Sequence, residues 1–461
     1  MSTGLIIVLG LACFIFAVVG LFRPFIGILV FIVIHFVQPG ELIPALAPFR
    51  IELVYGLLLF ARIFQQRASH PGPPILSDNV FRGALYLLGA AVLSVPFSVW
   101  PGGAADMVLD LVKHIALILL FMLVVDSQSR LRQLLWCVAA VATWFAGSSL
   151  SAFAHGDFYK LEYNLGALDR AQGINSIVGG PNELAGLLLA LLPLLVVLLR
   201  CTRNVFARIL LIVAGATLLA GIALTGSRIA IIGLLAMGIY YTFQSKRRIL
   251  TGVICVVIGV TLWSNLPNAY KERYLTVESY AEGGQLDASN ELRLKIWEAG
   301  ETIFLRRPIL GVGAGQFPVA YGLFYLKGRH AAWMQPHNLL IETSCELGIV
   351  GLVALFYFLW QIAKSIGAVL EKKNDTRLKL NYEMALACAV MFVGVAIESL
   401  VGHTLFRPYW YLLAGFVAAN RNVACSFVTS PEVKPASSKE VQYAWRKSAP
   451  KLAKVPVKWR V

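Results

Sequence analysis

The residue best suited to proton transfer is His337, in the stretch QPHNLL at 335–340. Pro336 precedes it, and an apolar run able to form a helix follows at once. A helix N-terminus disfavours imidazolium, so this placement predicts a neutral imidazole that can accept a proton. Neutral imidazole is the commonest biological general base near pH 7. A histidine that only caps the helix or lies at a membrane surface would fit the same position.

Three arginines could bind an anion. Arg228 stands at the predicted outer end of an apolar span, where the positive-inside bias runs against arginine. Arg293 falls on the apolar side of a predicted helix, and Arg170 lies in a predicted outer loop. Guanidinium groups suit phosphate oxygens, so together with His337 they indicate a site for a lipid-linked phosphate donor and a hydroxyl acceptor. The alternatives are membrane anchors at Arg228 and Arg293 and an ordinary loop residue at Arg170.

No metal site or cofactor follows from the sequence. His337, Glu342 and Glu346 are five and four residues apart, which is a poor zinc spacing. The seven cysteines are scattered without a CxxC pair, within or beside apolar segments, where cysteine behaves as a small hydrophobe. We therefore expect neither a disulfide framework nor a bound metal.

The composition is that of a membrane protein. Of the 461 residues, 58% are hydrophobic and 14% are charged, whereas soluble domains are near a quarter charged. The net charge of +15 is concentrated in short basic groups between apolar runs and in the tail 421–461, which holds nine Lys/Arg against two Asp/Glu. Such basic groups mark cytoplasmic loops that meet anionic lipids, and no recognised motif indicates a nucleic-acid partner.

The apolar runs predict 12 to 14 transmembrane helices, since a helix needs about 20 apolar residues to cross a bilayer. The candidate spans are 4–20, 25–38, 51–62, 80–96, 108–125, 133–153, 183–199, 209–225, 228–243, 249–263, 338–360, 381–401 and 404–420. The basic connectors at 200–208, 244–249 and 361–380 predict the cytoplasmic side. Counting through the spans then places 154–182 and 264–337 together on the opposite side.

The outer segment 264–337 contains a predicted amphipathic helix over 291–304. It begins at Ser289 or Asn290 as N-cap and stops before Pro308, with an apolar stripe at Leu292, Ile296, Ala299 and Ile303. A helix of this kind could also lie on the membrane surface. The glycine-rich segment 311–317, GVGAGQF, matches neither a dinucleotide fingerprint nor a phosphate-binding loop, and we expect a tight turn and a close approach of its backbone to a partner.

These patterns divide the chain into five parts. They are N-terminal spans at 1–153, central spans with an outer loop at 154–263, the large outer loop at 264–337, C-terminal spans at 338–420, and a basic tail at 421–461. The tail is rich in Pro, Ser and Lys and is predicted to be a disordered cytoplasmic extension.

Three ordered blocks resemble the O-antigen ligase and polymerase superfamily, from about residue 170 to 360. The first is RAQG at 170–173 with PNELA at 181–185, and the second is TGSR at 225–228. The third comprises Arg293, Trp297, Pro308, the segment 311–317, His337, Asn338, Glu342, Glu346 and Gly348. The segment 23–27 also resembles the opening of some ligase-like members.

The resemblance implies an all-α, polytopic transmembrane glycosyltransferase of the GT-C type. It would move a glycan from undecaprenyl diphosphate to a hydroxyl acceptor at the periplasmic face of a bacterial inner membrane, without a cofactor or an essential metal. The implied roles are His337 as general base, Arg228, Arg293 and Arg170 as diphosphate-binding residues, and Asn182, Asn338 and Glu342 as supporting residues.

From this resemblance we expect lipid A–core as the acceptor, which would make the protein an O-antigen ligase acting in lipopolysaccharide biosynthesis. A polymerase that extends a lipid-linked glycan and a protein O-oligosaccharyltransferase would share this machinery, and both remain open. A transporter of lipid-linked glycan is a rival of another class. Transporters usually place charges near the bilayer midplane, whereas here the distinctive charges collect outside the spans.

Overall fold

The computed structural model describes residues 14–69, 74–158, 168–175, 178–275, 288–326 and 334–429, and within these ranges it is a helical bundle without a named strand. The predicted all-α fold is confirmed. Helices of eight or more residues are numbered in chain order: α1 (Pro24–Val37), α2 (Ile51–Ser69), α3 (Asn79–Ser94), α4 (Pro101–Val124), α5 (Gln128–Ala154), α6 (Pro181–Cys201), α7 (Val205–Leu224), α8 (Arg228–Gln244), α9 (Arg248–Asn265), α10 (Asn268–Leu275), α11 (Ala288–Arg306), α12 (Leu339–Leu370), α13 (Lys379–Ser399) and α14 (Pro408–Thr429).

In the described part of the chain, nine helices are long and apolar enough to cross a bilayer. They are α2 to α7, α9, α12 and α13, and the shorter apolar helices α1 and α8 accompany them. The protein is thus polytopic, as predicted. Of the remaining predicted spans, 4–20 lies partly outside the described residues and 404–420 falls largely in α14. That helix continues to Thr429, beyond the predicted start of the tail at 421, and residues 430–461 lie outside the described part.

Side-chain contacts show which connections share an end of the bundle. Arg200 pairs with Glu383 at 2.8 Å, and Gln128 donates to Asn381 at 2.7 Å. Arg421 pairs with Asp78 at 3.2 Å. The C-terminal end of α6 and the N-terminal ends of α5 and α13 therefore lie at the same end of the bundle. This agrees with the prediction that the basic connectors 200–208 and 361–380 share a side. At the other end, Tyr409 at the start of α14 donates to the carbonyl of Glu183 at the start of α6, at 2.8 Å.

Helix α6 is central in the bundle because it is apolar on all faces. Its sequence from Leu184 to Leu198 is almost wholly buried, and it packs against α5, α7 and α13. Helix α9 is the opposite case, since none of its residues is buried although the helix is strongly apolar. A helix of that composition is stable when its outer face meets lipid, which agrees with a membrane-spanning bundle.

Helix α11 packs on protein through its apolar stripe. Ile296, Ala299 and Ile303 are buried against the segment 312–321 and Cys345 of α12, which confirms these three members of the predicted stripe. Leu292 remains 39% exposed. The described part of the helix begins at Ala288. The predicted N-cap residues Ser289 and Asn290 therefore lie within its first turn and not before it.

A break at Gly348 divides α12 into a short first part and a long second part. Gly348 has φ of 65° and ψ of −159°, and the amide of Ile349 donates to the carbonyl of Pro308 at 2.8 Å. A Cβ atom on Gly348 would overlap the carbonyl of Ile309, and one on Gly311 would overlap the backbone of Glu346. The expected close approach of the glycine-rich segment to another backbone is therefore confirmed, and its partner is the broken turn of α12.

The Glu346 carboxylate completes this junction. It accepts hydrogen bonds from the amides of Gly315 at 2.6 Å and Phe317 at 3.1 Å. Two buried backbone donors of the glycine-rich segment are thereby satisfied by one side chain of α12. The orientation of the first part of α12, Leu339–Leu347, depends on this arrangement.

Replacing Gly348 with alanine should destabilise the protein by roughly 2–5 kcal/mol, because a positive φ and a backbone overlap act together. Thermal unfolding of purified protein in detergent measures the effect. The matched control is Gly367→Ala in the second part of α12, where no neighbouring heavy atom lies within 4 Å of the added methyl group. Equal melting temperatures for the two variants would contradict the proposed junction.

Candidate active site

The backbone at His337 is held from both sides. The indole Nε1 of Trp297 in α11 donates to the carbonyl of Pro336 at 3.2 Å. Asn338 is the N-cap of α12: its Oδ1 accepts from the amides of Leu340 and Ile341, while its Nδ2 donates to the carbonyl of Leu400 at 3.0 Å. His337 itself has φ of 47°, an uncommon conformation for a residue other than glycine. Its ring position is therefore determined by α11, α12 and the residues after α13.

The His337 imidazole is kept neutral by its surroundings. Burial lowers its pKa from the ordinary value near 6.5 to about 4, and the positive charge of Arg293 contributes in the same direction. The carboxylate of Glu183 acts in the opposite sense with a smaller effect. His337, Arg293 and Glu183 therefore lie within electrostatic range of one another, and at neutral pH the imidazole can accept a proton.

A second histidine lies beside the first. The rings of His337 and His403 meet edge to face with centroids 5.4 Å apart. Arg407 places its Nη2 atom 3.0 Å from His403 Nε2 and 3.2 Å from Glu183 Oε1. This network joins the loop 400–407 between α13 and α14 to the first turn of α6, next to the candidate base.

Glu342 also stabilises the loop 400–407. Its Oε2 atom accepts a hydrogen bond from the amide of Leu405 at 3.0 Å, and its side chain is buried in the first part of α12. The predicted supporting residues Asn338 and Glu342 thus both connect α12 to the loop 400–407. Among the residues that the structure describes, no three His, Cys, Asp or Glu side chains are grouped so as to hold a metal ion.

Arg170 and Asn182 lie together at the start of α6. The Arg170 guanidinium donates from Nε to the carbonyl of Thr225 at 2.6 Å and from Nη2 to Oδ1 of Asn182 at 2.8 Å. Arg170 is only 7% exposed. From the other side, Arg273 of α10 donates to the carbonyl of Gly226 at 2.9 Å. The turn that precedes Arg228 is therefore held by two guanidiniums through its backbone carbonyls.

Arg228 is the first residue of α8, with Ser227 as its N-cap residue. Helix α8 packs antiparallel to α13, and Gly233 and Met237 of α8 lie against Gly394 of α13. The start of α8 therefore lies at the same end of the bundle as the end of α13, from which the loop 400–407 begins. The structure places Arg228 at the end of the bundle that holds His337 and Arg293.

A family model described as O-antigen ligase matches residues 213–356, a segment that contains Arg228, Arg293 and His337. The match supports membership of the O-antigen ligase superfamily. A search of curated proteins finds no match. The match supports a function of the O-antigen ligase or polymerase type in general, and the apolar helices support a multi-pass membrane protein.

Three residues of this candidate site were not predicted from the sequence: Glu183, His403 and Arg407. All three lie outside the matched segment 213–356. Arg407 could have been found by the argument used for Arg228, because it is an arginine near the outer end of the predicted span 404–420. No comparable signal marks His403, whose importance depends on its distance from His337.

Replacing Arg170 with methionine should destabilise the protein by roughly 2–4 kcal/mol, since the Thr225 carbonyl and Asn182 would both lose a charged donor in a buried place. Thermal unfolding in detergent provides the measurement, with Arg208→Met on the exposed surface of α7 as the control. If Arg170 acts only on the donor diphosphate, the variant will keep the melting temperature of the native protein and lose affinity for undecaprenyl diphosphate.

Proposed function

We propose that this protein is an O-antigen ligase-like glycosyltransferase that moves a glycan from undecaprenyl diphosphate to a hydroxyl of lipid A–core. The observation that supports the proposal most directly is the neutral His337 imidazole beside the Arg293 guanidinium, inside the segment that matches the ligase family. A proton acceptor next to a fixed positive charge suits a reaction in which a hydroxyl is deprotonated while an anion departs. We further propose that the site faces the periplasm from a bacterial inner membrane.

In the proposed reaction the acceptor oxygen attacks the anomeric carbon of the donor sugar. A new carbon–oxygen bond forms while the bond from that carbon to the diphosphate oxygen breaks, and the electron pair leaves with undecaprenyl diphosphate. The proton of the acceptor hydroxyl passes to His337. The proposed reaction therefore needs no further reactant.

Negative charge develops on the leaving diphosphate, and we assign its neutralisation to Arg228 and Arg293. Preorganised guanidiniums provide this stabilisation without a metal ion. Helices α6, α8 and α12 all begin at this end of the bundle, so the positive ends of their dipoles add to the potential there. Arg170 and Asn182 would support the site by holding the turn before Arg228.

The proposed displacement is direct and inverts the anomeric configuration. Two carboxylates near the base already have partners, since Glu183 pairs with Arg407 and Glu342 accepts from the amide of Leu405. Glu398, buried against Gly186 and Tyr409, is the other carboxylate at this end of α13. Retention of configuration in the product, measured by NMR, would contradict direct displacement and implicate a carboxylate such as Glu398 as nucleophile.

Purified protein in nanodiscs should transfer glycan when supplied with an undecaprenyl-diphosphate-linked donor and lipid A–core. His337→Ala should reduce the rate roughly 100- to 10,000-fold, as expected for loss of a general base, while His155→Ala, an exposed histidine at the end of α5, should not. Products are separated by gel electrophoresis. Product formed on a second lipid-linked glycan or on a protein, but not on lipid A–core, would replace the ligase assignment with a polymerase or a protein glycosyltransferase.

The pH dependence of kcat/KM should show its acidic limb near pH 4 rather than near 6.5. His337 must be deprotonated to act, so activity is lost as the pH falls through its pKa, which burial and Arg293 lower to about 4. The bound diphosphate adds negative charge that favours imidazolium, so the limb in kcat should lie at higher pH than the limb in kcat/KM. A kcat/KM limb at pH 6.5 would show that the free imidazole is not shielded as the structure indicates.

A further inference from the structure

The contacts of Arg407 determine which ring nitrogen of His403 carries the proton. A guanidinium can only donate hydrogen bonds, so the 3.0 Å contact from Arg407 Nη2 favours His403 Nε2 as the acceptor. The Glu183 carboxylate oxygen, which would favour a proton on Nε2, lies further from that atom, at 3.5 Å. The neutral ring must then carry its proton on Nδ1. Glu183 Oε1, 3.2 Å from the same Nη2 atom, holds the guanidinium in this position. Arg407 and Glu183 together therefore make His403 Nδ1 a hydrogen-bond donor.

The Nδ1 donor has no protein partner in the part of the chain that the structure describes. The atom is buried and makes no hydrogen bond with any described residue. A buried N–H group without a partner is destabilising by about 1–3 kcal/mol, so its presence next to a candidate site calls for an explanation, and a bound ligand that accepts the hydrogen bond provides one. Nδ1 lies on the opposite edge of the imidazole from Nε2 and so faces away from Arg407, on a ring whose centre is 5.4 Å from that of His337.

Protonation does not compete with this arrangement at neutral pH. Burial lowers the pKa of His403 well below its usual value, and the positive charge of Arg407 adds to the effect. The charged and titratable groups that face the ring are Arg407 on its own loop, Glu183 from α6 and His337 from the start of α12. His403 therefore remains a neutral donor over the range in which the enzyme would work.

We propose that His403 contacts the substrate, and that its Nδ1–H donates a hydrogen bond to a diphosphate oxygen of the lipid-linked donor. This inference rests on the proposed function. A diphosphate oxygen can only accept hydrogen bonds, so it suits a nitrogen whose tautomer is locked as a donor, whereas a sugar hydroxyl would fit either tautomer. The bond strengthens as charge builds up on the leaving group, so His403 favours departure of the carrier while His337 takes the proton from the acceptor.

Three substitutions at His403 separate this role from its alternatives. In His403→Asn the amide nitrogen takes the place of Nδ1, in His403→Gln the amide group reaches the place of Nε2 beside Arg407, and His403→Phe keeps only the ring. The asparagine variant should retain kcat/KM for the donor within roughly fivefold. The glutamine and phenylalanine variants should lose roughly 10- to 100-fold, the size expected for one hydrogen bond to a charged group.

Other orders of activity would overturn the proposal. Native-like rates in His403→Gln, with loss in His403→Asn, would show that His403 acts only through Arg407. Native-like rates in His403→Phe would show that it acts only by packing. The melting temperature of each variant in detergent identifies any that fails to fold, and His155→Asn is the matched control on an exposed histidine at the same end of the bundle.

Binding of undecaprenyl diphosphate without glycan distinguishes failure of this inference from failure of the proposed reaction. Calorimetry in nanodiscs should give similar affinities for the native protein and His403→Asn, and affinities lowered at least fivefold for the other two variants. If the native protein binds with this pattern but transfers no glycan, the proposed reaction is wrong and the inference stands. Equal binding by all four proteins would overturn the inference alone, and no binding by the native protein would overturn both.

Discussion

The first part of α12, Leu339–Leu347, is fixed at its N-terminal end by the Asn338 cap and at its C-terminal end by the break at Gly348. Between these points, Glu342 bonds to the loop 400–407 and Glu346 bonds to the glycine-rich segment. Nine residues of helix therefore contact two other parts of the chain, the loop 400–407 and the glycine-rich segment. His337 stands directly before this segment, so the position of the candidate base depends on the whole set of contacts and not on its own neighbours alone.

The protonation state of the candidate base, His337, follows from its buried position. Burial and the Arg293 charge keep the imidazole neutral, but they also make it a weak base. A diphosphate bound among the arginines would cancel part of the positive charge and make the same imidazole more basic. In the proposed reaction the arginines and the histidine would therefore oppose each other before the donor binds and act together afterwards, which would link proton transfer to the presence of the leaving group.

Arginines in this site have two different physical roles. Arg170 and Arg273 donate to backbone carbonyls and thereby shape the turn before Arg228. Arg407 is held by Glu183 and determines the tautomer of His403. Sequence patterns place Arg170 and Arg228 in one class, because both are basic residues at the predicted outer side. Only the contacts distinguish the roles of these two arginines. The Arg170 guanidinium donates to carbonyl oxygens, whereas Arg228 is the first residue of α8.

Local periodicity predicted much of the framework because membrane spans and amphipathic helices are encoded by residues near one another. The apolar runs located most of the helices, and the 100° spacing of Ile296, Ala299 and Ile303 identified the buried face of α11. The structure describes α11 from Ala288, a few residues before the start that the capping pattern predicted. Pro336 and the apolar run that follows likewise indicated that a helix begins just after His337.

The sequence by itself therefore determined the all-helical, membrane-spanning class, the order of the helices, and the neutral histidine at the start of α12. Only the tertiary structure decided that His403 lies 5.4 Å from His337 and that the glycine-rich segment approaches the break in α12. His337 and His403 are separated by the whole of α12 and α13. No local pattern can specify such a contact, because it depends on how two long antiparallel helices return the chain to the same end of the bundle.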